Sequence, residues 1–117
     1  MFSRSTFASY AWRIDAWPNV EDLGPLEPEG TVITGPSNAP VDLLDRLAKQ
    51  EGNRFRLVDD DGLVYCKGRI VFRSGEPADD EDEFAPLTDY GAPGMGCTTI
   101  DYWVKDPVTG TYSWQTL

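Results

Sequence analysis

Residues 10–16 alternate in character: Tyr10, Trp12, Ile14 and Ala16 are interleaved with Ala11, Arg13 and Asp15. A period of two sends successive side chains to opposite sides of an extended chain, so this segment is expected to be a strand. The run 18–30 carries Pro18, Gly24, Pro25, Pro28 and Gly30 and is expected to be a loop. Short and β-branched, TVIT at 31–34 predicts a second strand.

The period then changes. In VDLLDRLAKQEG, Leu43, Leu44, Leu47 and Ala48 share one face of a helix. Ser37 or Asn38 is expected to cap its start, Pro40 suits the first turn and Gly52 suits the position after its end. Asp42 and Asp45 lie early and Lys49 late, which complements the helix dipole.

Residues 54–72 return to strand character on both sides of Asp59-Asp60-Asp61-Gly62, a hairpin in which Gly62 takes the positive φ of the turn. A second hairpin is expected at the end of the chain. Thr98, Ile100, Tyr102 and Val104 alternate with Thr99, Asp101, Trp103 and Lys105, DPVTG (106–110) turns, and Tyr112, Trp114 and Thr116 alternate again. These elements predict one domain over 1–117 of the α+β class: an antiparallel sheet of four to six strands with one helix packed on one face. Trp12, Ile14, Leu43, Leu47, Leu57 and Ile100 are expected to form a single core between helix and sheet.

With 117 residues, 40% of them apolar and 12% aromatic, the chain can bury such a core without metals or disulfides. Its formal charge of −10 changes the functional picture. Net negative charge repels nucleic acid and anionic membranes, so neither is expected as a direct partner; basic partners are attracted. High acidity is also what solubility alone requires. The chain has no His, which removes the commonest general base and metal ligand. Cys66 and Cys97 are expected to be small buried residues of a reducing compartment, with a single disulfide as the alternative. The N-terminal segment lacks the apolar stretch of a signal peptide and no segment is long enough to span a bilayer, which points to the cytoplasm of the protein's own cell or of a host.

No motif implies a cofactor. Counted from Asp59, the sixth and twelfth positions of a calcium loop would be Val64 and Ile70, so that pattern fails and a turn is expected. Gly91, Gly94 and Gly96 lack the strand-loop-helix setting of a phosphate loop. Cys66 has Lys67 and Arg69 nearby but no His to complete a nucleophilic site. A carboxylate pair among twenty acidic residues carries no signal of its own. No catalytic or metal-ligating residue is assigned, and the chain is expected not to be an enzyme.

One stretch stands out. Glu76, Asp79, Asp80, Glu81, Asp82 and Glu83 occur together without a Lys or Arg, and Phe84 closes the run. In an extended chain Asp80 and Asp82 share one side and Asp79, Glu81 and Glu83 the other, with same-side neighbours about 6–7 Å apart. That interval is close to the one between phosphates along a nucleic-acid strand. Such a strip, anchored by Phe84, Pro86 and Leu87, fits a basic groove. The alternatives are a solvated loop, a weak site for a hard cation, or a loop folded back onto Arg69 and Arg73. Seven of the ten basic residues, Arg46, Lys49, Arg54, Arg56, Lys67, Arg69 and Arg73, lie in the helix and first hairpin, so one acidic edge and one mixed face are expected.

NRFRLVDDDGLVYCKGRI and FAPLTDYGAPGMGCTTIDYW resemble a group of small acidic uncharacterised proteins of actinobacteria, their phages and mobile elements. The similarity covers a third to a half of the chain, and the acidic insertion before Phe84 is longer here. The resemblance implies a compact cytoplasmic domain and a mobile-element origin, and no catalytic residues.

The first functional expectation is therefore a non-enzymatic acidic binding protein, such as a phage or mobile-element inhibitor. Its residues 76–84 would occupy a basic surface of a partner protein, above all that of a nucleic-acid-binding protein. The second is a housekeeping interaction domain that meets its partners through an aromatic sheet face including Trp103 or Trp114. The third is a small enzyme that uses carboxylates.

Overall fold

The computed structural model describes residues 7–18, 27–28, 30–78 and 80–117. Six antiparallel strands form one sheet: β1 (Tyr10–Ala16), β2 (Ile33–Gly35), β3 (Asn53–Val58), β4 (Val64–Phe72), β5 (Thr99–Lys105) and β6 (Tyr112–Thr116). Their spatial order is β2-β1-β4-β3-β5-β6. The α+β class and the antiparallel sheet agree with the alternation in the sequence. Residues 19–26 and 29, most of the expected first loop, lie outside the described residues.

Both expected hairpins are present. At the first, Gly62 has φ +83° and the Asp59 carboxylate accepts backbone N–H bonds from Asp61 at 2.9 Å and Leu63 at 3.0 Å. Those donors favour the charged carboxylate and hold Asp59 below its ordinary pKa, the Leu63 bond first among the causes. At the second, the Asp106 carboxylate accepts from the Val108 N–H at 2.7 Å.

Helix α1 (Val41–Ala48) begins with Pro40 at its N-cap and no capping side chain; the Pro40 carbonyl accepts from Leu43 and Leu44. Neither Ser37 nor Asn38 caps it, because both belong to the preceding turn, where Ala39 N–H bonds the Pro36 carbonyl. Two residues after the helix have positive φ, Gln50 at 69° and the expected Gly52 at 108°. Leu43 and Leu47 are buried, but Ala48 is exposed.

The single core expected between helix and sheet is two cores. Leu43 and Leu47 of α1 meet Ala11 and Val71, which oppose each other on β1 and β4. Trp12, Ile14, Leu57 and Ile100 point the other way and pack with Phe55, Cys66, Ile70 and Phe72. Alternation along β1 dictates this split, since Ala11 and Trp12 cannot share a face. The main core is closed by a second helical segment where a loop and a Gly-rich connection were expected. It runs through a 3-10 turn (Asp80–Phe84), a π turn (Leu87–Gly91) and α2 (Ala92–Met95). Ala85, Leu87 and Cys97 are buried from this segment, with Tyr90 and Met95 packed alongside.

Gly35 and Gly68 permit close approach to β1. At Gly35 an added Cβ would run into the Trp12 ring, and at Gly68, mid-β4, into the Arg13 carbonyl. Both hold β1 tightly between its neighbours.

Candidate functional site

The acidic run is part of the cover over the main core. Asp80, Glu81, Asp82 and Glu83 occupy the first turn of the helical segment, where negative charge complements the unsatisfied N–H groups of a helix start. The extended strip expected over 79–83 is thus a 3-10 turn, in which residues three apart eclipse and the alternate spacing is lost. Asp79 lies outside the described residues. The Asp82 carboxylate accepts from the Ser9 hydroxyl and the Ala78 N–H, both at 3.3 Å. The Glu83 carbonyl accepts from the buried Tyr102 hydroxyl at 2.6 Å. Glu76, Asp80 and Glu81 are exposed, and Phe84 retains 37% exposure. Among the described residues the loop does not fold back onto Arg69 and Arg73: Arg73 grips the Asp42 carboxylate at 3.0 and 3.1 Å, and Arg69 donates to Gln50.

Further along the cover, Asp89 accepts from the Trp12 indole N–H at 3.1 Å and from the Tyr10 hydroxyl at 3.4 Å. Burial, then the Asp89 charge, pushes the Tyr10 hydroxyl up to about 12. Cys66 and Cys97 are free buried thiols; burial raises both, Cys97 to about 11. A thiol so protonated at neutral pH is a poor nucleophile. A cavity of about 260 Å³ beside the cover touches Phe72, Tyr102 and Leu117, with Glu83 as the single Asp or Glu among the described residues of its lining. Among the described residues no group of three or more His, Cys, Asp or Glu is placed to hold a metal ion.

The opposite face of the sheet is different. Helix α1 covers it only at the Ala11–Val71 end. Beyond that end the register sets Arg13 opposite Arg69, Arg69 opposite Arg54, and Arg56 opposite Lys67. Like charges directly opposed across strands destabilise a sheet. Arg56 is offset by Asp101, whose buried carboxylate accepts its Nε–H at 2.7 Å and the Thr116 hydroxyl at 2.6 Å. Arg13 pairs with Asp15 at 3.3 Å. No described carboxylate pairs with Arg54 or Lys67.

Aromatic rings continue this cationic surface across β5 and β6. Trp103 lies opposite Trp114, ring centroids 5.2 Å apart, and stacks with Tyr112 at 5.9 Å and 14° between planes. The guanidinium of Arg56 sits 4.6 Å from the Trp114 ring centre, Lys67 Nζ 5.9 Å from it, and the Arg54 guanidinium 5.7 Å from Trp103. These are cation–π distances. Tyr112 is 54% exposed and both Trp rings are partly so. A shallow depression of about 130 Å³ is lined by Arg54, Lys67, Arg69 and Asp15. The expectation of a mixed face contained Arg54, Arg56, Lys67 and Arg69 but not Arg13; the cross-strand opposition and the junction with the rings depend on register, which the sequence does not display.

No described helix is long and apolar enough to cross a membrane. No protein-family model, curated protein or solved structure matches the chain.

Proposed function

We propose that this protein is a binding domain without chemistry of its own, and that the open sheet face is where it meets a partner carrying negative charge. The observation that supports this most is the row of directly opposed cations, Arg13–Arg69–Arg54 and Arg56–Lys67, bordered by the Trp103–Trp114–Tyr112 rings. The arrangement costs stability in the free molecule, and an anion laid across it turns that cost into affinity. This is the aromatic-face reading of the sequence with the chemistry of its partner added. The test exploits the net charge of −10. At neutral pH and low salt the protein should be retained on heparin resin in spite of its charge, and Arg54→Glu with Lys67→Glu should abolish retention. Passage of the wild-type protein through the resin unretained overturns the reading.

A second reading keeps the acidic side as the contact. Residues 74–104 contain no Lys or Arg, while Glu76, Asp80 and Glu81 are exposed beside the half-exposed Phe84. In this reading the residues 76–84 dock on a basic, nucleic-acid-binding protein in the cytoplasm of an actinobacterial host, as an inhibitor from a phage or mobile element. Replacing the carboxylates of 76–83 by amides should then slow association and flatten its salt dependence, and Phe84→Ala should speed dissociation. Unchanged rates in both variants remove it.

A further inference from the structure

We propose that the occupant of the open face is a single strand of nucleic acid, with phosphates on the β1–β4–β3 cations and bases on the β5–β6 rings; this rests on the open-face reading above. The face offers two chemistries side by side. Arg54, Lys67 and Arg69 line a depression of about 130 Å³ together with Asp15, whose carboxylate pairs with Arg13, so that three cations remain for a phosphate group. Trp103, Trp114 and Tyr112 lie next to it with part of their surface in solvent. An acidic peptide would satisfy the cations and leave the rings unused. A duplex would bring phosphates and keep the flat faces of its bases inside the stack. A single strand presents both phosphate and base faces, and cationic grooves with adjoining aromatic rings are how proteins hold one without reading its sequence.

The dimensions agree. From β1 to β6 the path crosses β4, β3 and β5. At about 4.8 Å per strand this is about 19 Å, room for about four nucleotides, the short end of known single-strand sites.

The negative charge of the whole chain does not decide the matter, because it is unevenly placed. Glu76, Asp80, Asp82, Glu83 and Asp89 belong to the cover on the far side of the sheet or its approach. On the open side Asp15, Asp101, Asp42 and Glu51 are each paired, with Arg13, Arg56, Arg73 and Arg46, and Arg54, Lys67 and Arg69 are left in excess. A layer of packed structure is about 10 Å thick, and the screening length at 0.1 M salt is also about 10 Å. Under those conditions a strand on the open face is governed by the cations beneath it.

The experiment uses the full chain with fluorescein-labelled oligothymidylate and oligouridylate of eight nucleotides, a duplex of the same length and a Glu-rich peptide, followed by fluorescence anisotropy. Both single strands should bind more tightly than duplex or peptide, and binding should quench Trp fluorescence. With about three phosphates neutralised, log K should fall with log salt at a slope of about −2. Tyr112→Ala and Trp114→Ala should each weaken binding about tenfold. Arg54→Gln with Lys67→Gln should bring the slope to about −0.7. Asp80→Asn with Glu81→Gln, on the far side, should change affinity less than twofold. Tyr112 is on the edge strand and half-exposed, so its variant tests stacking even if Trp114→Ala unfolds. Duplex binding as tight as single strand overturns the assignment, as does peptide binding without oligonucleotide binding; the open-face reading survives both. Concentration-dependent doubling of mass without oligonucleotide binding gives the face to a second copy and overturns it too. If neither oligonucleotide nor peptide binds, both the assignment and the open-face reading fall.

Discussion

On one face of the sheet Trp12, Ile14, Phe55 and Ile70 lie under a helical cover, and the polar groups that enter find partners: the Trp12 indole at Asp89, the Tyr102 hydroxyl at the Glu83 carbonyl. On the other, Arg13, Arg54, Arg56, Lys67 and Arg69 are set against one another, and Arg54 and Lys67 have no carboxylate among the described residues. The same six strands support both. The covered face follows what stability asks of a sequence. The open face departs from it in one coherent region, and departures of that kind mark places where a molecule does something besides fold. The acidic run, the feature most visible in the sequence, falls on the stabilising side of this division: its carboxylates start a helical segment that closes the core.

The contrast should be visible in the energetics, most strongly at the centre of the covered face. Phe55→Ala removes a fully buried ring from the main core and should cost about 3–5 kcal/mol in chemical denaturation. Leu47→Ala, in the small cluster under α1, should fall near the low end of the range for such truncations, about 2 kcal/mol. Equal losses would mean that α1 carries as much of the fold as the cover does. Next in size, Tyr102→Phe leaves the Glu83 carbonyl without its 2.6 Å donor and should cost about 1–2 kcal/mol. Hydrogen exchange should then quicken across residues 83–91 before it does in β3 and β4; uniform acceleration would show that the cover and sheet open as one unit.

On the open face the sign should reverse. Arg69→Glu replaces two opposed like-charge pairs by opposite charges at the price of one exposed bond to Gln50, and should stabilise the protein by about 0.5–1 kcal/mol. A loss of stability there would show that the cations do not strain the free sheet. The smallest effect concerns pH. The Tyr10 hydroxyl ionises near 10 when unfolded and is pushed up to about 12 in the fold, so the folded state holds this proton more tightly. Its contribution is complete below pH 10 and disappears as the pH rises from 10 toward 12. Tyr10→Phe should therefore show less alkaline loss between these values than the wild-type protein, and an identical loss in both would remove Tyr10 as its source.

How far the sequence could be read depended on whether the signal was local. Strand alternation in 10–16 and 98–105, the Asp59–Gly62 turn and α1 are local patterns, and each is where it was expected. The sidedness of the core was not legible, because a period of two says that Ala11 and Trp12 part company without saying which of them meets the helix. The helical segment over 80–95 is hidden in the sequence because Pro86, Gly91, Pro93, Gly94 and Gly96 each disfavour a helix interior, and burial of Ala85, Leu87 and Gly91 against the sheet overrides that preference. Four carboxylates followed by apolar residues are a helix-start signal, which the expectation of an extended strip did not include. The open-face site lay deeper still. Arg69 becomes a neighbour of both Arg13 and Arg54 only when β4 is placed between β1 and β3.

The position of the cover late in the chain has a consequence during synthesis. Trp12 and Ile14 leave the ribosome early, yet β4 follows at residues 64–72 and the cover that shields their face at 80–97. At about 5–20 residues per second, the main apolar face waits on the order of ten seconds for its lid. Through that interval the nascent sheet shows water the large side chains that the finished molecule hides. Slowed translation beyond residue 72 should lengthen the wait and send more of the product into aggregates, even though every residue of the finished protein is unchanged.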